Sequence, residues 1–573
     1  MGSAARGLRM SSASAGIVGG AVTQLGSSVA VIGAGAAGLA AGRILRDEGL
    51  QVTIFEKAQD MGGVWRYNPE PDAGAPMYRS LVTNLPKQTM SFFGFPFASE
   101  LPSFTTHAQV LGYLCDYAER YDLSELINFG CPVTSVRPVG DRSGLPASSS
   151  ASASALASAA TVTGGEGRHG RQEGGRETDA IGRWEVVYQQ IPPPSIDETG
   201  RTKSGGGTPA AVAAAITAVT EIFDAVCVCN GHYDAAYAPD VEGAGGFRGT
   251  VMHARAYDRP DVEAFAGRRV LCIGSRSSGT DIAREVSSVA TVVHVSDRSA
   301  SASAKGGERG NVWWRPGLER FEGSNGVRFT DGVLVEVDTV VWCTGYSYSF
   351  PFLKGSGLLA SPVTERVRPL YEQLFHVEHP SLSFVGLPQS VIPFPLFEIQ
   401  ANLVAAAISG RVALPSRAGR EQWLVEEDKR SLLERGVDSA SRGVHTLGVR
   451  QWPYLKNLVR LAGGVGVVPR APVPRNGEGG GGPGRDTAED DEEGEQEGEA
   501  EEEGVKQTEE MLAAMGLREV MYNDTSRSRS KFPGDPDDYR RRVYNADWQA
   551  GTFSVSWAKL KANGEGPSSA SAS

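Results

Sequence analysis

Cysteine is scarce in this chain, six residues in 573. That scarcity excludes a disulfide-stapled secreted scaffold, and no spacing among the six resembles a zinc site, so no metal is expected. A thiol-reducing compartment follows, and the expected location is cytoplasmic. Long apolar runs are also missing. No stretch reaches the ~18–20 residues that a membrane-spanning helix requires. The best candidate, Ala210 to Val219, is short, Ala-rich and interrupted by Thr217. Excess positive charge is the third absence. The formal net charge is −12, and the twelve acidic residues between Asp486 and Glu503, with no basic residue among them, account for all of it. The rest of the chain is formally neutral. A neutral body with an acidic tail offers nucleic acid no electrostatic footprint, so no nucleic-acid partner is expected.

Glycine, by contrast, is abundant at 71 of 573 residues, well above the usual ~7%. Much of the excess lies in biased segments. Residues 140–182, 192–209 and 471–505, with the last dozen residues, are rich in Ser, Ala, Gly, Pro or Glu. Such stretches bury too little apolar surface to offset chain entropy, and they read as solvated loops or disorder. Residues 1–27 read as a flexible leader. This leader contains Arg6 and Arg9 and no acid, which gives an organelle transit peptide as the alternative location, and Arg6 at the sixth position argues against myristoylation. Two strand-like runs, Trp184–Tyr188 and Ile222–Val228, place the first two biased segments as insertions between paired strands of one domain. Helical periodicity marks Arg420–Arg435 and Thr508–Met515 on either side of the acidic segment.

One motif occurs twice. The apolar run Ser28–Ile32 enters Gly33-Ala34-Gly35-Ala36-Ala37-Gly38, followed by a helical pattern, a second strand Val52–Phe55, and Glu56. This is a complete strand, GxGxxG, helix, strand, acid unit. The first glycine permits the tight turn, the second lets backbone approach a pyrophosphate, and the third lets helix pack on strand. The helix N-terminus offers unpaired N–H groups to phosphate, and the acid accepts from a ribose hydroxyl. The echo is Arg268–Ile273 followed by Gly274-Ser275-Arg276-Ser277-Ser278-Gly279, a helix, and the strand Thr291–Val295. Here Arg276 replaces the middle glycine. Two such units imply two nucleotides, of which a flavin and a nicotinamide are the usual pair. Glu56 lies 23 residues after Gly33, and Asp297 lies 23 after Gly274. Asp297 favours a free 2′-hydroxyl, as in NADH, and the adjacent Arg298 favours the 2′-phosphate of NADPH. The residues alone leave this choice open.

Further motifs resemble those of the flavin-containing monooxygenases. Gly62-Gly63-Val64-Trp65 is similar to the family's stretch that closes over the flavin, and Thr83-Asn84-Leu85-Pro86 to its TN-x-P segment. Phe247-x-Gly249-x-x-x-His253-x-x-x-Tyr257 matches its identifying pattern in full, and Cys343-Thr344-Gly345-Tyr346 is similar to its late strand end. Phe394–Gln400 and Leu414-Pro415 resemble its closing helix and exit. The plant glucosinolate S-oxygenase-like branch resembles the chain most, and that branch also lacks the middle glycine of the second motif. The resemblance spans roughly 28–137, 183–191 and 221–416.

The resemblance implies an α/β fold of two Rossmann-type dinucleotide-binding domains, the NADPH domain inserted in the FAD domain. The expected layout is a leader at 1–27, an FAD-binding domain at 28–229 and 331–465, and an NADPH-binding domain at 230–330. A Gly-rich and acidic linker at 466–510 and a C-terminal extension at 511–573 complete it. The implied reaction is transfer of one oxygen atom from O2, via a flavin hydroperoxide, to a small-molecule sulfide or amine, with sulfur favoured. NADPH is the reductant, so Arg298 becomes the phosphate reader with Arg276 beside it. Asn84 is the implied catalytic residue, an amide beside flavin and nicotinamide. Gly63, Trp65 and Gln400 are the implied additional cofactor contacts, and His253 is expected to organise domains and not to react. A flavin disulfide reductase would need a CxxC or CxxxxC pair. Cys227 and Cys229 are separated by one residue in a strand, and the expectation is that they face opposite sides and cannot pair. A Baeyer–Villiger enzyme would carry Trp at the Tyr257 position. The remaining alternative is a nucleotide-binding regulator, or an NADPH oxidase with no dedicated organic substrate.

Overall fold

The computed structural model describes residues 26–69, 76–140, 182–192, 217–298, 310–360, 366–435, 442–463, 492–531, 538–548 and 550–557. The leader, most of the two insertions and the Gly-rich stretch before residue 492 lie outside the described residues. Two sheets dominate. The larger has seven strands in the order β18-β19-β20-β7-β1-β2-β3. These are Leu370–Tyr371, Phe375–His376, Leu382–Phe384, Ala225–Val228, Ser28–Ile32, Gln51–Phe55 and Ile127–Asn128. The run β20-β7-β1-β2-β3 is parallel. Its central strands are largely apolar because both faces are covered, one by helices and the other by antiparallel chain carrying Trp184, Val186, Tyr188 and Phe223. One cover is α1 (Ala36–Asp47), and α5 (Pro393–Ile408), almost wholly buried, packs against it.

The smaller sheet has five parallel strands in the order β12-β11-β10-β16-β9. They are Val312–Arg315, Val292–Ser296, Arg269–Ile273, Thr339–Trp342 and Thr250–His253, with α4 (Ser277–Val286) following β10. The strand β16 lies beyond the expected boundary at residue 330. Each sheet carries the same appendage, a three-stranded antiparallel meander leading back into a central strand. In the first it is β4 (Val133–Pro138), β5 (Trp184–Gln190) and β6 (Thr217–Phe223), and in the second β13 (Leu318–Glu322), β14 (Gly326–Phe329) and β15 (Leu334–Glu336). The single strand expected over Ile222–Val228 is therefore two. Asp224 breaks it, accepting from the Ser28 amide and hydroxyl at 2.8 and 2.9 Å, so β6 joins the meander and β7 joins the parallel sheet.

Two expectations are corrected. Cys227 and Cys229 share a face, with sulfur atoms 3.7 Å apart as free thiols. Strand side chains alternate with period two, so positions two apart point the same way. The acidic segment is not all loop either. A helix, α8, runs over Glu492–Lys531 and takes in residues 492–503, while α6 (Arg417–Arg435) matches the periodicity expected there. The later part of α8 buries Met511, Met515, Leu517 and Met521. It packs on α7 (Gln451–Leu461) through the Lys456–Glu519 ion pair at 3.1 Å and the Trp452–Tyr522 edge contact. A hairpin of β21 (Arg542–Asp547) and β22 (Thr552–Trp557) follows it.

This division predicts opposite results for two deletions. Removing 486–503 is expected to leave melting temperature, flavin content and turnover unchanged. Truncation after residue 505 removes buried Met515, Met521 and Tyr544, each worth about 1.5–3 kcal/mol of burial. It is expected to lower the melting temperature by many degrees in calorimetry, and equal melting temperatures would refute the division.

Candidate active site

Both glycine motifs sit where the sequence places them, at the carboxyl end of a central parallel strand. Gly33 has φ +105° and Gly274 has φ +109°, a region open to glycine. A Cβ on Gly33 would lie 2.7 Å from the Cys229 carbonyl oxygen, and one on Gly274 would lie 2.4 Å from that of Cys343. On the third glycines, Gly38 and Gly279, it would meet the first glycine's own carbonyl oxygen at 1.7 and 1.8 Å. The first and third glycines are thus demanded by the chain's own packing. The middle position is not. Gly35 has ordinary extended backbone (φ −75°, ψ −177°), and Arg276 copies it (φ −74°, ψ −172°), so the arginine sits there without strain. A Cβ on Gly35 would find only Gly63, at 3.5 Å. That opening suits a phosphate. Neither α1 nor α4 has a side-chain N-cap, so the first-turn N–H groups remain available to an anion.

Glu56 pins the first turn. Its buried carboxylate accepts from the Ala34 amide at 2.7 Å and from the Ala58 amide at 2.8 Å. The turn at Gly62-Gly63 closes over this loop, because the Gly62 amide donates to the Ala34 carbonyl at 2.9 Å. Trp65 follows, its ring edge-on to Phe394 at 6.2 Å. Ala36 and Ala37 are buried in α1, while Ser275, Ser277 and Ser278 are partly or fully exposed around the second turn. Arg276 and Arg298 are both exposed at the carboxyl ends of β10 and β11, and neither forms an ion pair among the described residues. Two uncommitted guanidiniums flanking an uncapped helix end suit a phosphorylated dinucleotide.

Asn84 joins the two halves. Its side-chain amide donates to the Ser277 hydroxyl at 3.0 Å, so the loop carrying Asn84 touches the first residue of α4. Gln400 lies apart from this junction, fully buried. Its amide oxygen accepts from the Gly386 amide at 2.8 Å and its nitrogen donates to the Tyr454 hydroxyl at 2.9 Å. Gly386 in turn holds a residue that the sequence reading missed. His232 Nδ1 donates to the Gly386 carbonyl at 2.9 Å, while Nε2 is buried with no hydrogen-bond partner among the described residues. Burial pushes this imidazole down to about 4, so it is neutral at physiological pH and Nε2 is an acceptor. The adjacent Tyr233 is 44% exposed, yet burial raises its hydroxyl pKa. Its ring meets Tyr346 edge-on at 5.5 Å, so residues following β7 and β16 face each other across the carboxyl ends of both sheets. Crevices there are where open α/β sheets take ligands. The signal for His232 lay in its position four residues past the end of β7.

The Phe247-to-Tyr257 pattern is structural at every position. Phe247 is buried against Phe321, and a Cβ on Gly249 would strike the Asp338 carbonyl at 2.3 Å. His253 uses both ring nitrogens, Nε2 donating to the Gly345 carbonyl at 3.0 Å and Nδ1 accepting from the Arg255 amide at 3.1 Å. Burial lowers its pKa, which keeps it in this neutral form. Tyr257 donates to Glu285 at 2.7 Å.

The glycine geometry separates two substitutions. Gly35→Val keeps an allowed backbone but fills the opening, so folded, colourless protein is expected. Gly38→Ala drives a methyl into the Gly33 carbonyl and is expected to lower the melting temperature sharply. Full flavin absorbance in folded Gly35→Val would refute the phosphate-facing role of that opening.

Comparison with known proteins agrees with this geometry. The flavin-binding monooxygenase-like family model matches residues 26–148, 211–305 and 308–472. Flavin-containing monooxygenase GS-OX-like 2 of Arabidopsis thaliana is 35% identical over 411 residues, 68% of this chain and 75% of the relative. GS-OX-like 4 of the same plant is 33% identical over 451 residues, 74% and 85% of the two chains. Among solved structures, S-allyl-L-cysteine S-oxygenase from Allium sativum is 27% identical, with a TM-score of 0.64 covering 91% of this chain and 96% of that one. No helix among the described residues is long and apolar enough to cross a membrane. The chain therefore belongs to the flavin-binding monooxygenase-like family and is a flavin-containing monooxygenase whose cofactors are FAD and NADPH.

Proposed function

We propose that this monooxygenase transfers one oxygen atom from O2 to a soft sulfur nucleophile on a small organic molecule, by the flavin-borne oxygen transfer that the resemblance implies. The observation that carries the reading is the Asn84–Ser277 hydrogen bond, which joins a loop of the first half to the helix that follows the second glycine turn. Names of similar proteins support sulfur as the target: the plant relatives are called GS-OX-like, and the garlic enzyme is an S-allyl-L-cysteine S-oxygenase.

In this reading the residues divide the work of holding two cofactors. Gly33, Ala34, Gly35, Ala36, Ala37 and Gly38 cradle the FAD pyrophosphate, and Glu56, already fixing the turn, takes a ribose hydroxyl on a remaining lone pair. Gly63 and Trp65 cover it. Gln400 acts through the Gly386 turn, whose carbonyl holds the His232 ring, and Nε2, unpaired among the described residues, would accept from a donor of the flavin. Gly274, Ser275, Arg276, Ser277, Ser278 and Gly279 take the NADPH pyrophosphate, and Arg298 reads the 2′-phosphate. Bound there, the flavin would supply the oxygen-activating chemistry. The chain contributes orientation and exclusion of water, with Asn84 presenting its amide where flavin and nicotinamide meet. No side-chain nucleophile is required.

Substrate class is tested by mass spectrometry on a panel of sulfides and tertiary amines with NADPH. A gain of one oxygen on sulfides, with little on amines, is expected. NADPH consumption that yields only hydrogen peroxide with every compound would favour the oxidase reading. The phosphate reader is tested separately. A guanidinium bonded to phosphate contributes roughly 1.5–3 kcal/mol, so Arg298→Ala should raise KM for NADPH about 10- to 150-fold and barely change KM for NADH. Asp297→Ser, which removes an opposing charge, should improve NADPH use. Both need fixed ionic strength, since exposed charges are screened. Equal losses with both nucleotides would sink the assignment of Arg298.

A further inference from the structure

The helix α4 turns one polar stripe toward the flavin half. Ser277, Asp281 and Glu285 are spaced four residues apart and so share a face. Each is met by the segment Tyr78–Asn84. Asn84 bonds Ser277 at 3.0 Å, Tyr78 donates to Asp281 at 3.1 Å, and Ser80 donates to Glu285 at 2.6 Å. Asp281 has a further partner from outside the segments matched by the family model. Arg540, on the turn Asp538–Arg541 of the C-terminal extension, sets Nη2 2.9 Å from Asp281 Oδ2, and the two side chains are only 10% and 12% exposed.

The same extension grips the flavin half independently. Buried Arg518 in α8 donates to the Ser91 carbonyl at 3.0 Å and lies over the Phe93 ring at 4.3 Å. Tyr544 in β21 donates its amide to the Ser103 hydroxyl at 2.9 Å, and its carbonyl accepts from Gln88 at 2.5 Å. One end of the extension is thus seated beside the Asn84 loop, and its cation reaches across to the helix of the other half. We infer that Arg540 is a positioning residue for NADPH: acting through Asp281, it fixes α4 so that Ser277 and the uncapped helix N-terminus stay in register with Asn84. This rests on the reading that α4 receives the NADPH pyrophosphate.

The physical reason is the cost of a buried carboxylate that loses its partner. Without Arg540, Asp281 keeps only the Tyr78 hydroxyl and Arg284 at 3.9 Å among the described residues. The carboxylate then gains by turning toward water, and it carries α4 with it. Hydride donor and acceptor must meet within a narrow geometry, so a small rotation of α4 acts on reduction by NADPH more than on flavin binding.

The test uses the full chain with FAD bound, comparing Arg540→Gln, Arg540→Lys, Asp281→Asn and the Arg540→Gln/Asp281→Asn pair. Flavin content, melting temperature, KM for NADPH and stopped-flow flavin reduction are read for each, with dithionite as a reductant that needs no nucleotide site. Arg540→Gln is expected to keep its flavin and normal dithionite reduction while NADPH reduction slows or its KM rises about 10- to 100-fold. Arg540→Lys should recover most of that loss, and Arg540→Gln should add nothing in the Asp281→Asn background. Unchanged NADPH kinetics, loss of flavin, or additive effects in the pair would each overturn the proposal. If Arg540→Gln does not fold, Asp281→Asn carries the comparison: flavin and dithionite reduction are expected to hold while NADPH reduction slows, and unchanged NADPH kinetics would overturn the proposal. Arg298→Ala serves as the separate control: if it moves the KM for NADPH while Arg540→Gln does not, the NADPH site stands and only the positioning role falls.

Discussion

The site depends on one steric constraint used twice, the contact between a glycine turn and the carbonyl that ends a neighbouring parallel strand. Gly33 lies against the Cys229 carbonyl, and Gly274 against that of Cys343. In both cases a β-carbon would sit inside the oxygen's contact radius, so strand, turn and helix can approach only where no side chain intervenes. That closeness leaves each helix N-terminus uncapped at the end of its sheet. The third glycines, Gly38 and Gly279, repeat the constraint one turn later, and only the middle position is left for the ligand. The same logic explains why Arg276 is harmless to the fold. Its extended backbone matches that of Gly35 and needs no glycine.

Positions governed by such local rules were legible in the sequence. Both motifs, their flanking strands and Glu56 follow from apolar runs, glycine spacing and a single acid. Positions governed by tertiary contact were not. Asp224 is an unremarkable residue in a strand-like run until Ser28, nearly two hundred residues earlier, pairs with it and splits β6 from β7. His232 is one histidine among eight in the sequence, and only the fold gives it a carbonyl on one side and an unmatched acceptor on the other. The reading of Cys227 and Cys229 failed for a simpler reason, since alternation with period two places both on one face. The helix over the acidic segment was missed because charge and glycine content suggested solvated chain, whereas its later turns bury methionines.

The two nucleotide halves meet through polar contacts along α4, beside which Tyr78 and Leu81 pack into the apolar core of the second half. Asn84, Tyr78 and Ser80 on one side face Ser277, Asp281 and Glu285 on the other, each pair at hydrogen-bond distance. Contacts of this kind fix register while remaining sensitive to a single substitution. The Phe247-to-Tyr257 pattern contributes to the same junction, since Tyr257 also bonds Glu285 and His253 ties β9 to the strand end at Gly345. The pattern that identifies the family therefore belongs to the architecture that holds the halves together, and the chemistry is left to the cofactors.

The most direct measurement is the fate of isotopically labelled oxygen. Purified protein, a sulfide, NADPH and 18O2 are combined, and the sulfoxide is weighed against the NADPH consumed. One 18O atom in each sulfoxide formed and close to one NADPH oxidised per product molecule are expected. Sulfoxide carrying oxygen from water, or NADPH oxidation with hydrogen peroxide as the sole oxygen product, would contradict oxygen transfer from O2 to the sulfide.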